Sequence, residues 1–229
     1  MLQEAKRGSV GTMPFASMAD FLVAPCNQDA VAWVDRWPEW SLPALILYGP
    51  RGAGKSHLAH VWRSRCTALL VDDGSFPDLL PDRLGDSKFA VIDPLELPFD
   101  EEALLHLYNV LAERSGHLLI VAGSAPARWD IRLKDLRSRL LSCPAVGIGS
   151  PNDGLIGALM IKQFADRQLR VEPYVLTFLL ARMERSFSEA SRLVAALDRA
   201  ALAGLSLNNN QLLAPRVKQA RRSTRVFES

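Results

Sequence analysis

Residues 44–56 run Ala44-Leu45-Ile46-Leu47-Tyr48-Gly49-Pro50-Arg51-Gly52-Ala53-Gly54-Lys55-Ser56, and their reading decides the fold. A short apolar run ending in glycine is the pattern of a buried strand. Gly49 to Ser56 then matches G-x-x-x-x-G-K-[ST], a phosphate-binding loop, and a helical stretch follows from Gly54 to about Arg65. Gly49, Gly52 and Gly54, with Pro50 and Ala53 between them, allow a tight curl in which backbone N–H groups converge on one anion. The helix that begins there adds partial positive charge. Lys55 is expected to reach the β- and γ-phosphates of a nucleotide, and the Ser56 hydroxyl to ligate Mg²⁺.

Outward from this loop, short apolar runs recur at ALLV (68–71), FAVI (89–92), LLIVA (118–122) and AVGI (145–148), separated by stretches that can hold helices. This alternation predicts an α/β fold: a largely parallel sheet flanked by helices. One helix lies in EEALLHLYNVLAERS, where Leu104, Leu107, Tyr108 and Leu111 recur at helical spacing. Upstream, DFLVAPCN is expected to be extended and Asn27 to cap a helix through Trp37, which Pro38 ends. Beyond Ser150 the strand signal stops, and 152–168, 173–184 and 187–204 are helical by pattern. The predicted organisation is a flexible leader (1–20), a nucleotide-binding α/β domain (21–150), a small all-α lid (151–205) and a basic tail (206–229).

Composition narrows the setting. Of 229 residues, 48% are hydrophobic and 23% charged, values of an ordinary globular chain rather than a disordered one. No run of 18 apolar residues is present and the N-terminus lacks a signal-peptide core, so no membrane partner and a cytoplasmic location are expected. Cys26, Cys66 and Cys143 are too few and scattered for a disulfide framework or a zinc cage. Net charge is only +2, but the tail gathers Arg216, Lys218, Arg221, Arg222 and Arg225, either a solvated end or a phosphate-binding segment. His57 and His60 are spaced to share a metal, yet no third ligand accompanies them, and a structural or surface role is expected. The five tryptophans are read as core; Trp33 and Trp37 are expected to share one helix face.

A phosphate loop needs a carboxylate at the end of a neighbouring strand to hold its metal, and Asp93 closes FAVID. The next residue is Pro94, which cannot polarise an attacking water; Glu96 could substitute only if the turn returned it to the site. Weak intrinsic hydrolysis is therefore expected of an ATP- or ADP-binding, Mg-dependent site. The segment IRLKDLRSRL brings Arg132, Lys134, Arg137 and Arg139 onto one helix. These form either a solvated basic face or, in an oligomeric ATPase, the source of an arginine that enters a neighbour's nucleotide site.

The order DFLVAPCNQDAVAW, GPRGAGKSHLAHVW, VIDPLE, DEEALLHLYNVL, DLRSRL and LVAALDRAAL resembles the DnaA-like AAA+ proteins, and more closely their Hda-type members that inactivate DnaA, over about residues 20 to 205. The resemblance implies a P-loop AAA+ sheet followed by a helical lid. It places Phe21, Leu22 and Val23 against the adenine ring, Asp93 on the metal and Arg139 as the arginine finger. The lid's phosphate-sensing arginine would fall at Ser191, with Arg192 beside it, and the polar sensor expected near Gly123 and Ser124 is altered. It also implies a regulator of replication initiation that stimulates ATP hydrolysis by DnaA. Residues after 205 are too few for the DNA-reading domain of DnaA itself. The sliding clamp is an implied partner, with DNA association through it: Thr12-Met13-Pro14-Phe15 resembles the clamp-binding peptide without its glutamine, or is a leader that binds nothing. A homo-oligomer is a further expectation, and an ATP-hydrolysing helicase-loader-type motor is the alternative.

Overall fold

The computed structural model describes residues 22–71 and 84–202. The expected leader, Phe21, the Thr12–Phe15 peptide and the basic tail lie outside the described residues.

Five parallel strands form one sheet: β1 (Ala44–Tyr48), β2 (Leu69–Val71), β3 (Phe89–Leu95), β4 (His117–Ala122) and β5 (Ala145–Gly147), in the order β2-β3-β4-β1-β5. The central pair, β1 and β4, align from Ala44 opposite Leu118 to Tyr48 opposite Ala122. Both are apolar along nearly their whole length because both of their faces are covered. Side chains alternate between two cores. Ala44, Ile46, Ala90, Ile92, Leu118 and Ile120 face α3 (Glu101–Glu113) and α4 (Lys134–Ser142), while Leu45, Leu47, Val91, Leu119 and Val121 face α1 (Gln28–Asp35) and α2 (Lys55–Cys66).

α1 and β3 depart from the sequence reading. Helix α1 stops at Asp35 rather than Trp37, in keeping with Pro38, which disfavours helical backbone at the residue before it. Asn27 precedes α1 without capping it: its side chain accepts from the Ala24 N–H (2.8 Å) and donates to the Leu22 carbonyl (3.0 Å). Trp37 therefore leaves the helix and joins Trp40, Trp62, Phe89 and His117 in an aromatic cluster, with its indole N–H on His117 Nδ1 at 3.3 Å. Strand β3 continues past Asp93 to Leu95 with a register shift after Ile92, where Pro94 has no N–H to give the ladder.

After β5 come α5 (Asp153–Asp166), α6 (Pro173–Leu180) and α7 (Phe187–Leu202), with their own apolar core. Ile156, Met160 and Phe164 of α5 meet Val175 and Leu179 of α6 and Leu193, Val194 and Leu197 of α7. The Asn152 side chain caps α5 through the Leu155 N–H (2.8 Å), and Arg185 before α7 makes a two-pronged pair with Asp153 in the first turn of α5 (2.6 and 3.0 Å). No helix among the described residues is long and apolar enough to cross a membrane.

Candidate nucleotide site

β1 delivers the chain to Gly49, and α2 begins at Lys55, so the loop between them sits at the carboxyl end of a central strand. All three of its glycines, Gly49 at φ +147° among them, adopt backbone that other residues avoid. Gly54 precedes α2 at φ +95°, and Gly52 stands at φ +73°. A Cβ on Gly52 would collide with Ser186 Cβ and approach the hydroxyls of Ser188 and Ser186 to 2.8 and 2.9 Å. The Gly52 carbonyl accepts the N–H of Phe187 at 2.8 Å, so the start of α7 docks directly on the loop.

Lys55 Nζ donates to the Gly49 and Pro50 carbonyls, each at 2.7 Å. Its ammonium is thus held over the loop by acceptors of the loop itself. Burial lowers the Lys55 pKa and the Asp93 charge opposes that shift. Ser56 Oγ donates to Asp93 Oδ1 at 2.9 Å, joining the start of α2 to β3. Burial raises the Asp93 pKa against the opposing pull of the Ser56 hydrogen bond and Lys55. A half-buried carboxylate held by a hydroxyl beside a lysine and a glycine-formed loop is a donor set suited to a hard divalent cation and a polyphosphate. Glu96 is exposed beyond the end of β3.

The other sequence-derived residues distribute as follows. Leu22 and Val23 lead into a turn whose Cys26 carbonyl accepts the Gly149 N–H (2.9 Å), which brings them to the end of β5; Ile148 there abuts Gly49. Val23 is exposed at 59%. At the end of β4 the Ser124 carbonyl accepts the Trp129 indole N–H at 3.0 Å. Ser191 accepts from the buried Gln163 amide (2.8 Å), and the Arg192 guanidinium is paired with Glu189 at 2.7 Å. In this structure the Ser191 and Arg192 contacts named here are thus made within the lid. Among the described residues no group of three or more His, Cys, Asp or Glu side chains could hold a metal ion.

Arg139 stands on α4, across the sheet from α2. Its Nε–H donates to Asp135 Oδ1 at 3.0 Å, one turn earlier, and its guanidinium carbon lies 5.5 Å from the centroid of the Tyr108 ring. The Asp135 partner was visible in the sequence as an i, i+4 acid–base pair. Two other contacts were not: the Tyr108 ring beneath the arginine, and the docking of Phe187 on Gly52, for which the only hint was a loop glycine far from the lid in sequence.

No family model matches the chain, and no curated protein sequence does. Solved structures do. Domain III of the Thermotoga maritima replication initiation protein DnaA superposes with a TM-score of 0.73 at 17% identity, over 89% of this chain and 97% of that one. A replication initiator DnaA bound to AMPPCP and single-stranded DNA gives 0.69 at 16% identity, over 90% and 69%. The Thermotoga maritima RuvB Holliday junction branch migration motor gives 0.65 at 15% identity, over 89% and 71%. The chain spans 66% of the length of a solved DNA replication initiation factor with the same fold. The parallel sheet with its phosphate loop and helical extension is an AAA+ fold. It is the fold that DnaA domain III and RuvB share.

Proposed function

We propose that this protein is a nucleotide-holding AAA+ regulator of replication initiation, which stimulates hydrolysis of ATP bound to DnaA by presenting Arg139 in trans. The observation that carries the proposal is the placement of Arg139 across the sheet from α2 and its phosphate loop, partly exposed and held by Asp135. An arginine so placed is suited to a phosphate presented by another molecule. A finger delivered this way is worth about 10³–10⁵ in rate.

In this reading the backbone of Gly49, Pro50, Gly52, Ala53 and Gly54 cradles the phosphates of ATP or ADP, and Lys55 exchanges its loop carbonyls for phosphate oxygens. Ser56 and Asp93 hold Mg²⁺, which when bound neutralises phosphate charge. Phe21, Leu22 and Val23 meet the base, and Arg192 exchanges Glu189 for phosphate. The AMPPCP-bound DnaA of similar fold supports a nucleotide here. Pro94 after Asp93 supports holding nucleotide over spending it, because no carboxylate follows the metal ligand to orient water. The Thr12–Phe15 peptide is proposed to reach the sliding clamp, giving indirect association with DNA.

The test is turnover of ATP preloaded on DnaA, with this protein added, with and without clamp-loaded DNA. Wild type should accelerate turnover and Arg139→Ala should not. If DnaA is unaffected while this protein hydrolyses ATP in a Lys55-dependent manner, the helicase-loader-type motor replaces the regulator.

A further inference from the structure

The helix that carries Arg139 does not set its own orientation. Leu133, at the N-cap position of α4, provides no side-chain cap. The missing acceptor comes from another helix: the Glu101 carboxylate, in the first turn of α3, accepts the Arg132 N–H at 3.0 Å and the Leu133 N–H at 2.7 Å. These backbone bonds, Leu133 first and then Arg132, hold the Glu101 pKa below the ordinary carboxylate range. Two turns along α3, Tyr108 reaches the other end of α4. Its hydroxyl meets the Sγ of Cys143, the C-cap residue of α4, at 3.8 Å, and its ring lies under the Arg139 guanidinium. Burial above all pushes the Tyr108 phenol up to about 12, so it stays neutral.

α3 therefore grips α4 at both ends, while Leu136 and Leu140 bury its inner face in the core the two helices share. The guanidinium itself has a carboxylate on one N–H and a π face beneath it. A guanidinium has five N–H donors, and the Asp135 bond engages only the one on Nε. The rest of the fork is thus presented in a fixed plane, which is what bidentate recognition of a phosphate requires.

We infer that Glu101 and Tyr108 are the positioning residues of Arg139: the carboxylate fixes the start of α4 and the aromatic ring fixes the plane of the guanidinium. This inference rests on the proposed role of Arg139 in trans, and it adds two residues on α3 that touch no nucleotide.

The experiment uses the full chain and two readouts. The first is the Arg139 Nε–H resonance, which the Tyr108 ring current displaces from its random-coil position. The second is turnover of ATP preloaded on DnaA as a function of the concentration of this protein. Tyr108→Phe keeps the ring and should preserve the displaced resonance and stimulate within about twofold of wild type. Tyr108→Leu should lose the displacement and lower the saturating turnover rate about tenfold, since small misplacements of a reacting group cost up to about 10²-fold. The concentration giving half-maximal effect should stay the same. Glu101→Ala, at a half-buried site outside the apolar core, should broaden or shift the same resonance and lower the same rate. Nucleotide affinity of the variants, unchanged from wild type, shows that they fold.

If Tyr108→Leu and Glu101→Ala leave both the resonance and the saturating rate at wild-type values, the inference is overturned. If Arg139→Ala stimulates DnaA as well as wild type does, the functional proposal fails. In that case the resonance alone decides whether α3 positions Arg139.

Discussion

Replacing Gly52 by alanine perturbs two things that can be separated. The first is backbone strain: at φ +73° a Cβ costs about 1–2 kcal/mol. The second is steric, because the new methyl meets Ser186 Cβ and the hydroxyls of Ser188 and Ser186, and it prises Phe187 from the Gly52 carbonyl. Overpacking of this kind costs about 1–3 kcal/mol. Together the loss is about 2–5 kcal/mol, which for a domain of this size lowers Tm by very roughly 4–20 °C. Gly85 supplies the control, since it stands at φ +49° with nothing within 4 Å of a Cβ, so Gly85→Ala carries the strain alone. The assay is thermal unfolding of wild type and both variants by circular dichroism. Gly52→Ala should melt clearly below Gly85→Ala. Equal melting temperatures would refute the claim that the lid docks on the phosphate loop through Gly52.

Other outcomes follow from single contacts. Burial lowers the His117 pKa below its ordinary 6.5 while Nδ1 accepts the Trp37 indole N–H, so the folded state prefers the neutral ring. Stability from this residue is present above 6.5 and is lost as pH falls through the folded value; His117→Phe should flatten the drop in urea midpoint between about pH 7.5 and about pH 5. Asn27→Ala leaves the turn before α1 without its bonds to Ala24 and Leu22 and should cost about 1–3 kcal/mol by chemical denaturation, with weaker nucleotide binding. Arg185→Ala should leave the urea unfolding midpoint indistinguishable from wild type, because the pair with Asp153 is exposed and screened.

What the sequence made legible was local. Ala44 to Tyr48 showed as a strand because a doubly covered strand has no polar face, and the helical patterns from 152 and 173 meet α5 and α6, although α6 ends at Leu180 rather than 184. Contacts between elements distant in sequence were not legible. Asn27 looked like a helix cap because it precedes α1, yet its amide serves the turn before it, a choice set by how that turn packs on Gly149. Asp93 reads as the end of β3 because it closes the apolar run FAVI, whereas a register shift lets pairing resume at Leu95. Glu101 opens the segment EEALLHLYNVLAERS, and its grip on Arg132 and Leu133 spans more than thirty residues with no pattern to announce it. One distant contact had a chemical signal: a phosphate loop calls for a carboxylate closing another strand, and Ser56 lies at hydrogen-bond distance from Asp93, 37 residues on.

The central claim is that residues 49–56 and Asp93 form a magnesium–nucleotide site, and calorimetric titration with ADP and ATP tests it most directly. Wild type should bind both with Mg²⁺ present and more weakly once EDTA removes it. Lys55→Ala should lose at least about tenfold in affinity, the equivalent of one charge-assisted contact to phosphate. Asp93→Asn should bind with little response to EDTA. Binding by Lys55→Ala equal to wild type, or no binding by wild type with Mg²⁺ present, would contradict the account.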